Sequence, residues 1–114
     1  QFPFFSPAGD RLAYPVINDK KAFMVVDGKE QKKYDAVSPP CFSPDGAHVA
    51  YMAGENDQWF IVIDGREGEL QFDSFLKNAQ IQFDSPTHLY VLAIRTPPPS
   101  FYRLEVDISP AKKP

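Results

Sequence analysis

His48 and His88 are the only two histidines of this 114-residue chain, and each closes a turn that also holds serine and aspartate. Serine, histidine and aspartate are the parts of a nucleophilic triad, and histidine with carboxylates can also ligate a metal. The spacing argues against both. No G-x-S-x-G elbow is present to lift a serine into a substrate site, and neither histidine has a Cys or His partner at metal-ligand spacing. Asp27, Asp45 and Asp64 each precede a glycine (Gly28, Gly46, Gly65), which is the chemistry of tight turns. A calcium loop would need oxygen ligands at alternating positions, and no such run exists. Ser6 and Ser43 stand before prolines inside a repeated phrase, so their hydroxyls are expected to bond local backbone. These residues read as structural, the chain as non-enzymatic, and no metal or cofactor is expected.

The elements that hold them come from a repeat. FSPAGDRLAYP (residues 5–15) returns as FSPDGAHVAYM (residues 42–52), and FMVVDG (23–28) returns as FIVIDG (60–65), both 37 residues on. Tyr34-Asp35 is echoed by Phe72-Asp73, and a weaker third copy, FDSPTHLYVLAI, starts at Phe83. A period near 40 means a solenoid or a propeller. Ser-Pro-Asp-Gly is a turn by composition, Asp-Gly is a two-residue hairpin signal, and the intervening apolar runs are short and β-branched. Strands are expected near residues 12–17, 22–27, 48–53, 59–64, 89–94 and 101–107, with polar outer strands near 30–35 and 70–75. Four antiparallel strands in about 40 residues make a propeller blade. The fold class is therefore all-β, with units of about 3–38, 39–78 and 79–108, the last lacking a fourth strand, and a short tail at 109–114. Gly28 and Gly65 should hold positive φ.

Composition agrees with a globular sheet protein. Hydrophobic residues make up 43% and charged residues 24%, and ten Phe and five Tyr favour strands. A net charge of −3, with no basic cluster longer than Lys32-Lys33, argues against nucleic acid. No apolar run approaches the ~18 residues of a membrane span. The lone Cys41, beside Phe42, reads as a small buried hydrophobe. Beginning at Gln1 without a methionine or a signal peptide, the sequence reads as a trimmed chain or a piece of a longer one.

The repeated FSPAGDRLAY and FSPDGAHVAY, with VVDGKE and VIDGRE after them, resemble the WD40-like β-propeller repeats of the TolB type. The resemblance covers residues 4–75 well and 83–108 loosely. Ala8 stands where that motif has Asp, and the third copy, Asp84-Ser85-Pro86-Thr87, lacks its glycine and needs a different turn. The resemblance implies a non-catalytic scaffold that binds a protein or peptide, often in the bacterial envelope, hence periplasmic or secreted. The runner-up reading is an accessory propeller of a larger hydrolase of the prolyl-oligopeptidase architecture, and a third, a small-molecule or sugar site in a central channel, has only the aromatic content behind it. Propellers close with 4 to 8 blades. Three units imply upstream blades outside this sequence, or self-association of two chains into a ring of six.

Binding is expected where the units differ. The loops at 18–21, 54–58 and 95–100 share no pattern, and loops on a rigid scaffold are where recognition sits. Asp19, Lys20, Glu55, Asn56, Asp57 and Arg95 are the candidates they supply. Trp59, next to the acidic loop, joins them as an aromatic anchor, with packing between units as its other reading.

Overall fold

The computed structural model describes residues 3–68, 71–75, 80–95 and 100–108, which form antiparallel sheets and no helix. The first sheet runs in sequence order through β1 (Phe4–Phe5), β2 (Leu12–Asn18), β3 (Lys21–Val26) and β4 (Lys29–Glu30). The second holds β5 (Ala36–Val37) and β6 (Cys41–Phe42), both paired to β7 (Val49–Glu55), then β8 (Gln58–Ile63) and β9 (Arg66–Glu67). In the third, β10 (Ser74–Phe75) and β11 (Gln82–Ser85) both pair with β12 (His88–Arg95), which pairs with β13 (Ser100–Asp107).

The long central strands fall within a residue or two of expectation; the short outer ones differ. Each inner edge of the second and third sheets is two strands rather than one. Where β5 ends, the Ser38 hydroxyl accepts the Met52 N–H at 2.8 Å, and the Ser38 N–H reaches Met52 O at 2.8 Å. Ser38 is buried, and so keeps β7 satisfied across a break that a proline pair (Pro39-Pro40) imposes. The outer strands expected at 30–35 and 70–75 shrink. The first is β4 plus a single bridge between Ala22 and Tyr34, and the second is β9 plus a bridge between Trp59 and Phe72. Ser74–Phe75 pairs forward with β12 of the third sheet, and Leu70 lies outside the described residues, as do 76–79 and the tail.

The turns follow their chemistry. Asp27 and Asp64 have φ 50° and 52°, and Gly28 and Gly65 have 82° and 80°, the two left-handed residues a type I′ hairpin asks for. Each Asp also anchors its hairpin to the preceding strand, accepting the N–H of Leu12 (3.1 Å) or Val49 (3.0 Å). In the Ser-Pro turn, Ser43 Oγ accepts the His48 N–H at 3.0 Å and donates to Asp45 at 2.6 Å. Ala8 cannot take Asp45's part, and Asp10 takes it instead, receiving the Ser6 hydroxyl at 2.9 Å. The third copy replaces this turn with a two-residue connection at Pro86 and Thr87, reached through a bulge between Phe83 and Ser85.

Strand alternation splits the second sheet between two cores. Val49, Tyr51, Ala53, Phe60 and Val62 pack with Ala13, Met24, Val26 and Tyr34 of the first sheet. Ala50, Met52 and Ile61, from the other face, pack with Leu89, Val91, Ala93 and Leu104 of the third. Neither core joins the third sheet back to the first. Cys41 is half-buried against the second core, and that burial pushes its thiol up, away from the reactive thiolate.

Candidate functional site

The hairpins β2–β3 and β7–β8 turn at the same end of their sheets. Both are tighter than a divergent loop: Asn18 pairs with Lys21 and Glu55 with Gln58, leaving two residues at each tip. Asp19 (φ 58°), Asn56 (55°) and Asp57 (65°) take the left-handed conformation, which Asn and Asp tolerate better than other non-glycine residues. The candidate side chains thus project from rigid backbone.

Asp35 locks the two tips together. One carboxylate oxygen receives Lys21 Nζ of the first sheet at 2.9 Å, and the other accepts the Asn56 N–H of the second at 3.1 Å. Lys21 also reaches Glu55 at 3.7 Å. The Lys21 contact, and then the Asn56 N–H, hold the Asp35 carboxyl below its usual range, and Asp35 in turn raises Lys21. The first half of this device recurs one repeat on, where Gln58, at the place of Lys21, donates Nε2 to Asp73 at 3.1 Å.

Beside the first tip, where β2 and β3 meet the segment 35–39, lies a cleft of about 280 Å³. Pro15, Ile17, Val37 and Pro39 give it an apolar floor, and Asp19, Lys20, Lys21 and Asp35 its charged rim. Ile17 is 71% exposed, the most exposed of the large apolar side chains among the described residues. Lys20 has no ion-pair partner among them, whereas Lys21 is spent on Asp35 and Glu55. That volume sits just under the ~300 Å³ where small-molecule pockets begin, a size for one or two side chains of a peptide. A second hollow, about 190 Å³ at the inner strand edges near Phe4, Pro40, Cys41 and Ile81, is smaller still.

Of the seven candidates, Asp19 and Lys20 line the cleft, while Glu55 and Asn56 join it through Lys21 and Asp35. Asp57 is at the second tip, where its carbonyl accepts Gln58 Nε2 at 3.3 Å. Trp59 is elsewhere. Its ring lies across Gly54, where an added Cβ would sit 3.1 Å from it, and it packs on the core shared with the third sheet. Arg95 ends β12 in register with Ser100; its side chain and residues 96–99 lie outside the described residues. Residue reading missed Pro15, Ile17, Lys21, Asp35, Val37 and Pro39. The echo of Tyr34-Asp35 in Phe72-Asp73 was the available signal for Asp35; nothing local marked the apolar floor.

Both histidines are tied to carboxylates. His48 Nδ1 lies 2.6 Å from Asp64, the partner relation that Arg11 Nε and Asp27 make at 2.9 Å one repeat earlier. Ser43 Oγ is taken up by the His48 backbone N–H and by Asp45, and among the described residues no hydroxyl is hydrogen-bonded to the His48 imidazole. No family model, no curated protein and no solved structure matches the chain.

Proposed function

We propose that this chain is a non-catalytic scaffold of three β-propeller blades of the WD40-like kind, which binds an extended peptide or protein segment at its hairpin end. Three repeated antiparallel sheets stacked face to face support the blade reading. The observation that carries the binding reading is the cleft itself, an exposed Ile17 and two prolines beside a rigid tip and a Lys20 that has no ion-pair partner among the described residues. Such a site takes an apolar side chain on its floor and a neighbouring carboxylate at Lys20. Recognition there needs no loop closure, because Asp35 already fixes the two tips to each other.

Selection of displayed peptides against the immobilised chain tests this. Recovered binders are expected to carry an apolar residue beside an acidic one. Ile17→Glu should weaken them at least about tenfold, and Lys20→Glu should do so for acidic binders only. Both positions are on the surface, so the unfolding midpoint should stay put. Binders that ignore both substitutions would remove the cleft as the site.

A further inference from the structure

The inner edge of the first sheet is covered for two residues and then left open. β1 pairs with Leu12 and Ala13, and from Tyr14 to Asn18 that side of β2 has no strand beside it among the described residues. The other two central strands are covered there. Ala36–Val37 (β5) lies on Ala53 and Gly54 of β7, and Ser74–Phe75 (β10) on Ala93 and Ile94 of β12, both antiparallel. Pro15, Val16 and Ile17 stand 37 residues before Met52, Ala53 and Gly54.

The backbone of β2 fixes what this edge offers. The Asp27 N–H bonds to Leu12 O, which turns the backbone groups of Tyr14 and Val16 toward β3 and those of Pro15 and Ile17 toward the open side. Ile17 therefore presents an N–H and a C=O, and Pro15 a C=O alone. In the second sheet Gly54 O accepts the Asp35 N–H at 3.0 Å, and Met52 O accepts the Ser38 N–H at 2.8 Å. Met52 also needs the Ser38 hydroxyl for its own N–H, whereas Pro15 has no N–H to satisfy. Unpaired backbone groups along a strand are a template for another strand. The edge also divides two hollows. Pro15 and Ile17 line the cleft of about 280 Å³ on the side of the second sheet and, with Tyr14, Val16 and Pro3, a hollow of about 490 Å³ on the other.

The two segments that cover the equivalent edges share a pattern. Asp35-Ala36-Val37 and Asp73-Ser74-Phe75 are each an aspartate, a small residue and an apolar one. The Asp73 N–H meets Ile94 O at 3.1 Å, as the Asp35 N–H meets Gly54 O. The Asp35 carboxylate also accepts the N–H of Asn56 at the hairpin tip, whose counterpart in the first sheet is Asp19. We infer that the peptide of the proposed function binds as an added antiparallel strand on β2, in the order acidic, small, apolar. This rests on the cleft reading and adds direction and register to it. The acidic residue gives its N–H to Ile17 O and sets its carboxylate at the tip, by the Asp19 N–H and Lys20. The small residue pairs with Ile17 on the cleft floor. The apolar residue pairs with Val16 and points into the larger hollow beside Tyr14, and the residue after it gives its N–H to Pro15 O. Main-chain bonds supply affinity in such a mode, and alternate side chains supply specificity. A second copy of this chain is not the donor, because its own two segments of this pattern are already paired.

Fluorescence anisotropy with the labelled peptide Gly-Ser-Asp-Ala-Val-Ser-Gly tests it. Methylating the amide nitrogen of Asp, or of the Ser after Val, removes a donor to Ile17 or Pro15 and should weaken binding about fivefold to tenfold in each case. Methylating the Val nitrogen, which faces away from β2, should change affinity by less than about twofold. Phe in place of Val should be accepted, and the reversed order Val-Ala-Asp should lose at least about tenfold. Indifference to both donor methylations, or no binding of this peptide where selected binders sensitive to Ile17→Glu exist, would overturn the inference and leave the cleft reading standing. Binding blind to Ile17→Glu would remove both. Peptide uptake that falls as the chain's sedimented mass doubles would make a second copy the occupant and overturn the inference. So would a longer natural form of the chain that takes up no peptide, because its own preceding segment would then hold the edge.

Discussion

The two outward faces of the stack are built on equivalent strands and differ in chemistry. On the first sheet, Leu12, Tyr14 and Val16 line an apolar hollow. On the third, Arg103 and Glu105 hold the β13 positions that Ile61 and Ile63 hold in β8, opposite Leu92 and Tyr90 rather than Met52 and Ala50. The charges there are joined to one another. Arg103 stacks 3.8 Å from the Tyr90 ring and lies 3.3 Å from Glu105, and His88 bridges Asp84 (2.6 Å) and Glu105 (3.0 Å). Leu92 and Phe101 remain exposed on that side at 44% and 67%, but among charges rather than around a hollow. The contrast separates a face covered by linked charges from one that keeps an apolar hollow, although both derive from one repeated pattern.

The sharpest test sets Tyr51 against Tyr14. Tyr51 is fully buried, and burial pushes its hydroxyl up to about 12. Truncating it to Ala opens a cavity and leaves Gln31 Oε1, which its hydroxyl meets at 2.7 Å, unmatched, so Tyr51→Ala should cost about 3–5 kcal/mol. Tyr14→Ala removes a half-buried ring from a face with no neighbour and should cost about 1 kcal/mol or less. Urea unfolding of both variants measures the difference. Equal costs would mean the first sheet's outer face is already packed, and the comparison between the two ends would break.

A second substitution pair serves as the control in which the sheets should agree. Gly28 and Gly65 hold the same hairpin position, and an added Cβ meets nothing within 4 Å at Gly28 and only the Gln31 amide at 3.6 Å at Gly65. The penalty at either is therefore backbone strain at positive φ, not a clash. Gly65→Val and Gly28→Val should each lose more than about 1 kcal/mol, by similar amounts, in the same urea measurement. Stability within a few tenths of wild type would remove the tight hairpin. A large gap between the two would mean that burial, rather than the turn, sets their cost.

What was legible in the residues follows from where the information is local. The central strands, the Asp-Gly hairpins and the positive φ at Gly28 and Gly65 depend on a few adjacent residues, and the 37-residue repeat marks them twice. The split inner edges were not legible, because they rest on Ser38 meeting Met52, a contact between strands. Ser74–Phe75 was read backward into the second unit for the same reason: two residues of strand have no period, and only pairing with Ile94 and Ala93 assigns them. At the candidate site, Asp19 and Lys20 were found because turn tips are visible in composition. The cleft floor was not, since Pro15 and Val37 come together only when one sheet lies on another. Trp59 carried two readings, anchor and packing between units, and the second holds: Gly54 opposite it leaves the space its ring occupies, against the core shared with the third sheet.

The smallest expected effect belongs to the charged face. His88 is surrounded by Asp84 of β11 and by Glu105 and Asp107 of β13, with Arg103 the one cation in the cluster. The hydrogen bond to Asp84, helped by the charges of Asp84 and Asp107 and opposed by desolvation, raises the imidazole above its ordinary 6.5. A folded pKa above the unfolded one fixes the sign. The contribution is whole below about 6.5 and is lost as pH rises through the folded value. The groups are solvent-exposed, so screening keeps the effect small. Thermal unfolding of the wild type should fall slightly between about pH 6 and about pH 8 relative to His88→Gln, and added salt should narrow the difference. An imidazole titrating below 6.5 by NMR, or a wild-type stability that gains on His88→Gln as pH rises, would mean the carboxylates do not hold His88. The third sheet's outer face would then be merely charged, with no network linking its charges.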